Sequence, residues 1–317
     1  MIDAILPEFE RLLARVSPLK QVRTAERRLA AQKIWLAIAE SGFLDAMITE
    51  SKGGAGLCFA DIGRLIQTVG AHLVPAPIGE SIVARALAVE ADLPCPGDPI
   101  TLVTPTSVGQ GFSARSVAFG MVATHALVEL PDQLVLSPLA STARVSPGTS
   151  ATLSADLHWE RAPEGATLER PPGGLRPIAA VIRANLIAGA CHRLVEMTVQ
   201  YAAERRQFGK PIGKQQAIQQ QLAQMAEQSA LTLMASQIGT AEFPPMIGAA
   251  AIAKQISSVA AAKVAAIAHA VHGAIGFTEE FDLQLYTRRL GEWRRADGTE
   301  SYWAGILGRQ RLGRIDI

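Results

Sequence analysis

The chain has 317 residues, 49% hydrophobic but only 5% aromatic, so its interior must be built from Ala, Leu, Ile and Val, which favours packed helices over a β-sandwich. Lys and Arg (30) nearly balance Asp and Glu (29), which excludes an overall field drawing the chain to nucleic acid or anionic lipid. Small molecules or other protein subunits are the expected partners. Cys58, Cys95 and Cys191 lie far apart, fit neither a disulfide framework nor metal-ligand spacing, and point to a reducing intracellular compartment.

The opening Met1–Glu8 carries no basic stretch before an apolar core, so it does not read as a signal peptide. No uninterrupted apolar run approaches the ~20 residues of a membrane span, and a cytoplasmic protein without membrane partners is expected. Residues 1–98 read as a helical domain. Helical spacing covers residues 22–40 and stops at Ser41-Gly42, and further helices are expected at 59–70 and 78–91. Between them, Gly53-Gly54-Ala55-Gly56 reads as an interhelical turn, because no strand precedes it as a phosphate cradle would require.

Residues 99–172 change character. Pro, Ser and Thr rise, and runs such as Thr101-Leu102-Val103-Thr104, Leu127-Val128-Glu129-Leu130 and Gln133-Leu134-Val135-Leu136 read as strands punctuated by Pro131, Pro138, Pro147 and Pro163. A small β domain is expected. In the remaining domain, 173–317, three- and four-residue apolar spacing predicts helices over 177–205, 212–238, 247–272 and 280–293, with a last helix from near Gly298.

Three stretches carry chemistry. Arg205, Gln207 and Phe208 sit in Tyr201-Ala-Ala-Glu-Arg205-Arg-Gln207-Phe208-Gly209-Lys-Pro-Ile; a guanidinium there either caps the helix C-terminus or offers a bidentate cation to a phosphate. His269-Ala-Val-His272-Gly273-Ala-Ile-Gly276-Phe277 places glycines where backbone can approach a ligand, and its two histidines lack a third metal ligand. In Ala296-Asp297-Gly298-Thr299-Glu300-Ser301, Asp297 is either a helix N-cap or a free carboxylate.

Taken together, Y-x-x-x-R-x-Q-F-G-x-P-I, the Gly273–Gly276 segment and the Asp297 turn resemble the acyl-CoA dehydrogenase family. The likeness spans the whole chain and is strongest after residue 185. It implies a mainly α fold with a small β domain and a C-terminal four-helix bundle. It also implies FAD contacts from Arg205, Gln207, Phe208, Gly273, Gly276 and Thr299, and Asp297 as the base that removes the α-proton of an acyl-CoA thioester. Ala270, Ala274 and Ser301 depart from the family pattern, Asp297 stands where Glu is usual, and Ala179 occupies the alternative base position. Arg183 and His192, on the otherwise apolar 177–205 segment, read as solvated or interface residues, and Arg294-Arg295 as a solvated turn. The β-domain stretches that contact flavin and thioester are not recognisable, and Thr104-Pro-Thr-Ser is a distant echo.

The resemblance therefore implies one subunit of a homo- or hetero-oligomer, a dimer or tetramer with shared sites, passing electrons to an electron-transfer flavoprotein. Two alternatives remain open: a non-catalytic subunit of a heteromeric dehydrogenase, or a flavin oxidase of the same fold using an Asp base.

Overall fold

The Ala- and Leu-rich periodic segments fold as the helices that the spacing predicts, in a computed structural model that describes residues 2–28, 31–146 and 153–313. The N-terminal part holds α1 (Ile2–Val16), α2 (Leu19–Arg28), α3 (Gln32–Ala39), α4 (Phe59–Ala71) and α5 (Ile78–Glu90). The single helix expected over 22–40 is two, and residues 29–30 lie outside the described residues. The break has a packing reason. Ala25 and Ile34 are both buried, yet on one unbroken helix they would be about two and a half turns apart and face opposite sides. The Gly53–Gly56 stretch is a turn between helices, entered by Gly53 at φ 87°.

The β region forms two four-stranded sheets. One runs β1 (Ile100–Val103), β4 (His125–Glu129), β5 (Leu134–Pro138), β8 (Ala166–Leu168), with β1 and β4 parallel and the other pairs antiparallel. The other runs β2 (Thr106–Val108), β3 (Gly111–Val117), β7 (Ala155–Trp159), β6 (Ala143–Val145). Val103, Val128, Val117 and Leu157 share one buried cluster of this region. Register slips between Ala114 and Val117, a bulge that matters below. The expected break at Pro147 falls outside the described residues.

The C-terminal part is α6 (Leu175–Glu204), a short hairpin β9 (Arg206–Gln207) and β10 (Lys210–Pro211), then α7 (Gln216–Gly239), α8 (Ile247–His272), α9 (Leu283–Arg295) and α10 (Glu300–Arg311). Helix α6 is the axis of the molecule: nearly all of its residues from Leu175 to Cys191 are buried. Helix α4 crosses it at two glycines. A Cβ on Gly70 would stand 2.2 Å from the Leu186 carbonyl oxygen, and one on Gly189 would stand 1.8 Å from that of Gln67.

By length and hydropathy α6 and the stretch Ile247–Phe277 match membrane spans, although charged residues such as Arg183 and Lys254 interrupt any apolar run. For α6 the hydropathy is that of a core helix, since 83% of its apolar window is buried inside the protein.

The α4–α6 crossing yields a direct test. Gly189→Ala forces the two helices apart and should lower the unfolding free energy by about 1–3 kcal/mol, measured by urea denaturation. An unchanged midpoint would show that the helices tolerate the separation.

Candidate active site

Two sets of side chains lie at opposite ends of α6. The first gathers at the turn between α9 and α10. Asp297 takes the left-handed conformation at φ 56°, and Gly298 follows at 101°. Only glycine fits there, because a Cβ would stand 2.6 Å from Trp303 Nε1. Thr299 caps α10, its Oγ1 accepting from the Tyr302 N–H at 3.4 Å. The capping role that sequence spacing offered to Asp297 thus belongs to Thr299, which leaves the aspartate side chain free for another partner.

That partner is Arg183, whose Nε donates to Asp297 Oδ2 at 2.8 Å. Its other arm pairs with Glu80 of α5. Arg183 and Glu80 are each 1% exposed and Asp297 is 21% exposed. The solvated or interface position expected for Arg183 is therefore corrected. A cation on an apolar helix face is buried here because two carboxylates from distant segments meet it. Burial pushes the Glu80 carboxyl up, against the pull of Arg183. The guanidinium also lies 5.5 Å from the Phe119 ring centroid, which ties the β region into the cluster.

The turn is pinned from below by Lys254 of α8, whose Nζ donates to the carbonyls of Arg294 (2.8 Å) and Gly298 (2.9 Å) and to Ser258 Oγ (2.9 Å). Burial pushes this ammonium down to about 7, with Asp297 pulling it back up. Trp303 Nε1 adds a bond to the Asp297 carbonyl at 3.0 Å. In front of the turn, a cleft of about 450 Å³ separates it from the β region and is lined by Asp297, Thr104, Arg115 and Arg295. The Thr104 stretch and Asp297 are thereby brought together. Arg294 pairs with Glu300, whereas Arg295 faces this cleft. His192 is exposed, as expected, and lies near Glu196.

The second set is at the other end. Helix α6 stops at Glu204, and Arg206 to Pro211 fold back as a hairpin with Gln207 paired to Lys210. Phe208 (φ 53°) and Gly209 (φ 79°) form its two-residue tip, both left-handed as a tight right-twisted hairpin requires. Phe208 is 92% exposed. Ala202, Ile212 and Val271 form a small core that fastens the hairpin to the end of α8. Tyr201 stacks on His272 with centroids 4.3 Å apart and donates its hydroxyl to the His272 carbonyl at 3.4 Å. The Arg205–Phe208 arm and the Gly273–Gly276 loop are thus neighbours.

Gly273 ends α8 at φ 63° with open space where a Cβ would point, whereas a Cβ on Gly276 would meet Leu283 at 2.7 Å. The first glycine leaves room for a ligand, and the second is required by packing. His269 donates to or accepts from Thr287 at 3.0 Å and stacks on Phe277. His272 Nδ1 meets the Ala268 carbonyl at 2.8 Å while its buried Nε2 has no partner among the described residues.

A pyrophosphate and a planar ring fit this end. Arg205 is exposed and forms no ion pair among the described residues, Phe208 presents an uncovered aromatic face, and Gly273 clears backbone for approach. Asp297 and Thr299 are not part of it, since Arg183 and Arg205 are 22 positions apart and α6 rises about 1.5 Å per residue, a separation of about 33 Å.

Sequence reasoning missed Glu80, Lys254 and the joint role of Tyr201 and His272. A signal existed for the first two. Glu80 and Lys254 are charges flanked by apolar or small residues within largely apolar helices, a position that charged side chains occupy when a partner meets them.

Residues 179–312 match the acyl-CoA dehydrogenase C-terminal domain family. The acyl-CoA dehydrogenase IpdE2 of Mycobacterium tuberculosis is 28% identical over 260 residues, covering 81% of this chain and 80% of that protein. Among solved structures, a steroid acyl-CoA dehydrogenase variant of the Tcur3481–Tcur3483 pair superposes with a TM-score of 0.83 at 23% identity, over 99% of both chains. The ChsE4–ChsE5 complex from Mycobacterium tuberculosis gives 0.79 at 22%, over 100% of this chain and 98% of that one. At these identities the superpositions establish the fold.

Two predictions follow from the two ends. Arg183→Met leaves Glu80 buried without its cation and should cost about 3–5 kcal/mol of stability, read by urea denaturation. At the other end, burial lowers the His272 pKa below its unfolded value. As pH falls through 6.5 the unfolded chain therefore binds a proton that the folded chain resists, and stability is lost below that pH. The thermal midpoint should drop between pH 7 and 5.5, and His272→Phe, which keeps the stacking, should flatten that drop.

Proposed function

We propose that this chain, which belongs to the acyl-CoA dehydrogenase family and is an acyl-CoA dehydrogenase-like oxidoreductase, works as one subunit of a cytoplasmic oligomer whose flavin sites are shared between subunits. One observation carries the reading: the phosphate-ready arm and the carboxylate turn lie at opposite ends of α6, about 33 Å apart. A single flavin does not reach both. The arm therefore serves a cofactor held mainly by a neighbouring subunit, while the Asp297 cleft belongs to a different composite site.

In this reading Arg205 offers a bidentate fork to the FAD pyrophosphate and Gln207 a hydrogen bond beside it. Phe208 covers the planar part of the cofactor, and Gly273 lets backbone approach. The chemistry a bound FAD supplies is acceptance of a hydride from the acyl β-carbon, with electrons leaving to an electron-transfer flavoprotein. Asp297 takes the α-proton through Oδ1, which accepts no hydrogen bond among the described residues. Arg183 holds the other oxygen and so fixes the direction of the carboxylate. Lys254 and Trp303 hold the turn that carries it.

The Arg183 ion pair also favours a second reading, in which Asp297 is only a structural partner and the chain is the non-catalytic member of a heteromeric dehydrogenase. Co-expression with a sister subunit separates the two. A yellow complex is expected, and Arg205→Ala should weaken flavin retention at least tenfold, the value of a lost charged hydrogen bond. Asp297→Asn should lower turnover on the order of 10²–10⁴-fold at unchanged flavin content if Asp297 is the base. Unchanged turnover would assign the chain the scaffold role, and a complex whose flavin ignores Arg205→Ala would overturn the shared site.

A further inference from the structure

The cleft in front of Asp297 holds more positive charge than its neighbours neutralise. Arg115 from β3, Arg176 from the first turn of α6 and Arg295 from the last turn of α9 all line it. None forms an ion pair among the described residues, whereas Arg85, Arg170, Arg288, Arg289 and Arg294 are all matched to carboxylates. Among the described residues the only carboxylate lining the cleft is Asp297, and its Oδ2 is already taken by Arg183. Three guanidinia held around one cleft repel each other, an arrangement that an anion between them relieves.

The backbone is shaped to keep them there. An even strand would send Arg115 and Ser116 to opposite faces, yet both line the cleft. The bulge between Ala114 and Val117, with Ser116 left-handed at φ 49°, makes this possible. Asp156 Oδ1 accepts the Ser116 N–H at 2.6 Å and holds the bulge. Arg176 is fixed by the hydroxyl of Tyr302, to which it donates at 3.0 Å, and by the ring of the same residue. A bulged, left-handed residue that aims a cation into a polar cleft is a site feature rather than a packing one.

We propose that this cleft is an oxyanion-binding site that takes a phosphate or a carboxylate carried by the substrate. Guanidinium forks match the paired oxygens of both groups, and a volume of about 450 Å³ admits the group with part of its carrier. That the carrier is an acyl-CoA rests on the family reading above; the existence of the site does not. On that reading the oxyanion is either a phosphate of the coenzyme or a carboxylate on the acyl group, and it draws the substrate alongside Asp297.

The test is calorimetric titration of the full chain, without flavin, using inorganic pyrophosphate and glutarate as separate probes. At least one should bind, with affinity falling as salt rises. Arg115→Ala and Arg295→Ala, both at exposed positions, should each weaken it about tenfold or more. Arg309→Ala, exposed on α10 outside the cleft, should leave it unchanged. Preference for pyrophosphate assigns the site to the coenzyme phosphates, and preference for glutarate assigns it to an acidic acyl group. No binding of either probe, or equal binding by the Arg115 and Arg295 variants, overturns the proposal. Because no flavin is present, failure of the shared-flavin reading would leave this result untouched.

Discussion

The contact on which the rest of the structure depends is that of Arg183 with Glu80 and Asp297. Moving a guanidinium and a carboxylate out of water costs several kcal/mol per ion. The cost is offset only because α5, α6 and the α9–α10 turn bring two acids to one cation in bonded geometry. The same cation faces Phe119, and Arg289 lies 5.9 Å from the centroid of that ring. Arg289 in turn pairs with Glu26 of α2. One buried chain of charges and an aromatic ring therefore links N-terminal helices, β region and C-terminal bundle. Apolar packing alone tolerates sliding of helix on helix; this network does not, because displacing any member strands a charge in a dry interior.

Helix α6 converts that local constraint into a long-range one. It is buried along its first half, crossed at Gly70 and Gly189 with no room to shift, and emerges with Arg205 at its far end. The distance between the Asp297 turn and the Arg205 arm is thus set by a rigid rod rather than by loops. The proposal of divided sites rests on this geometry. A chain that needs both ends to meet one ligand would have to bend its own core helix, whereas two chains need only dock side by side.

The parts of this architecture legible in the sequence are those fixed by local rules. The periods of α4, α5, α7 and α8 emerge within a few residues of their ends, and the Phe208-Gly209 tip is written in turn chemistry two residues long. What was not legible depends on partners distant in sequence. Arg183 reads as a solvated cation until Glu80 and Asp297, more than a hundred positions away on either side, arrive beside it. Residues 22–40 read as one helix because charge and apolar spacing continue through the break; only the need to bury both Ala25 and Ile34 shows why they cannot be one. Asp297 carried a capping pattern, and it took the geometry of Thr299 to release it.

Backbone strain separates what the chain does for itself from what it does for others. Leu73 and Phe119 are left-handed and fully or almost fully buried, so the packing around them compensates the ~1–2 kcal/mol that the conformation costs a side chain. Asp297 is left-handed and held by Arg183 and Trp303. Phe208 is left-handed, aromatic and 92% exposed. The strained backbone lowers stability, and the exposed ring recovers none of that cost by burial among the described residues. Gly209 beside it shows that a residue without strain was available to the turn. On the proposed reading the ring is kept at the tip for a contact on another molecule, which is what an arm reaching into a neighbour's cofactor site requires.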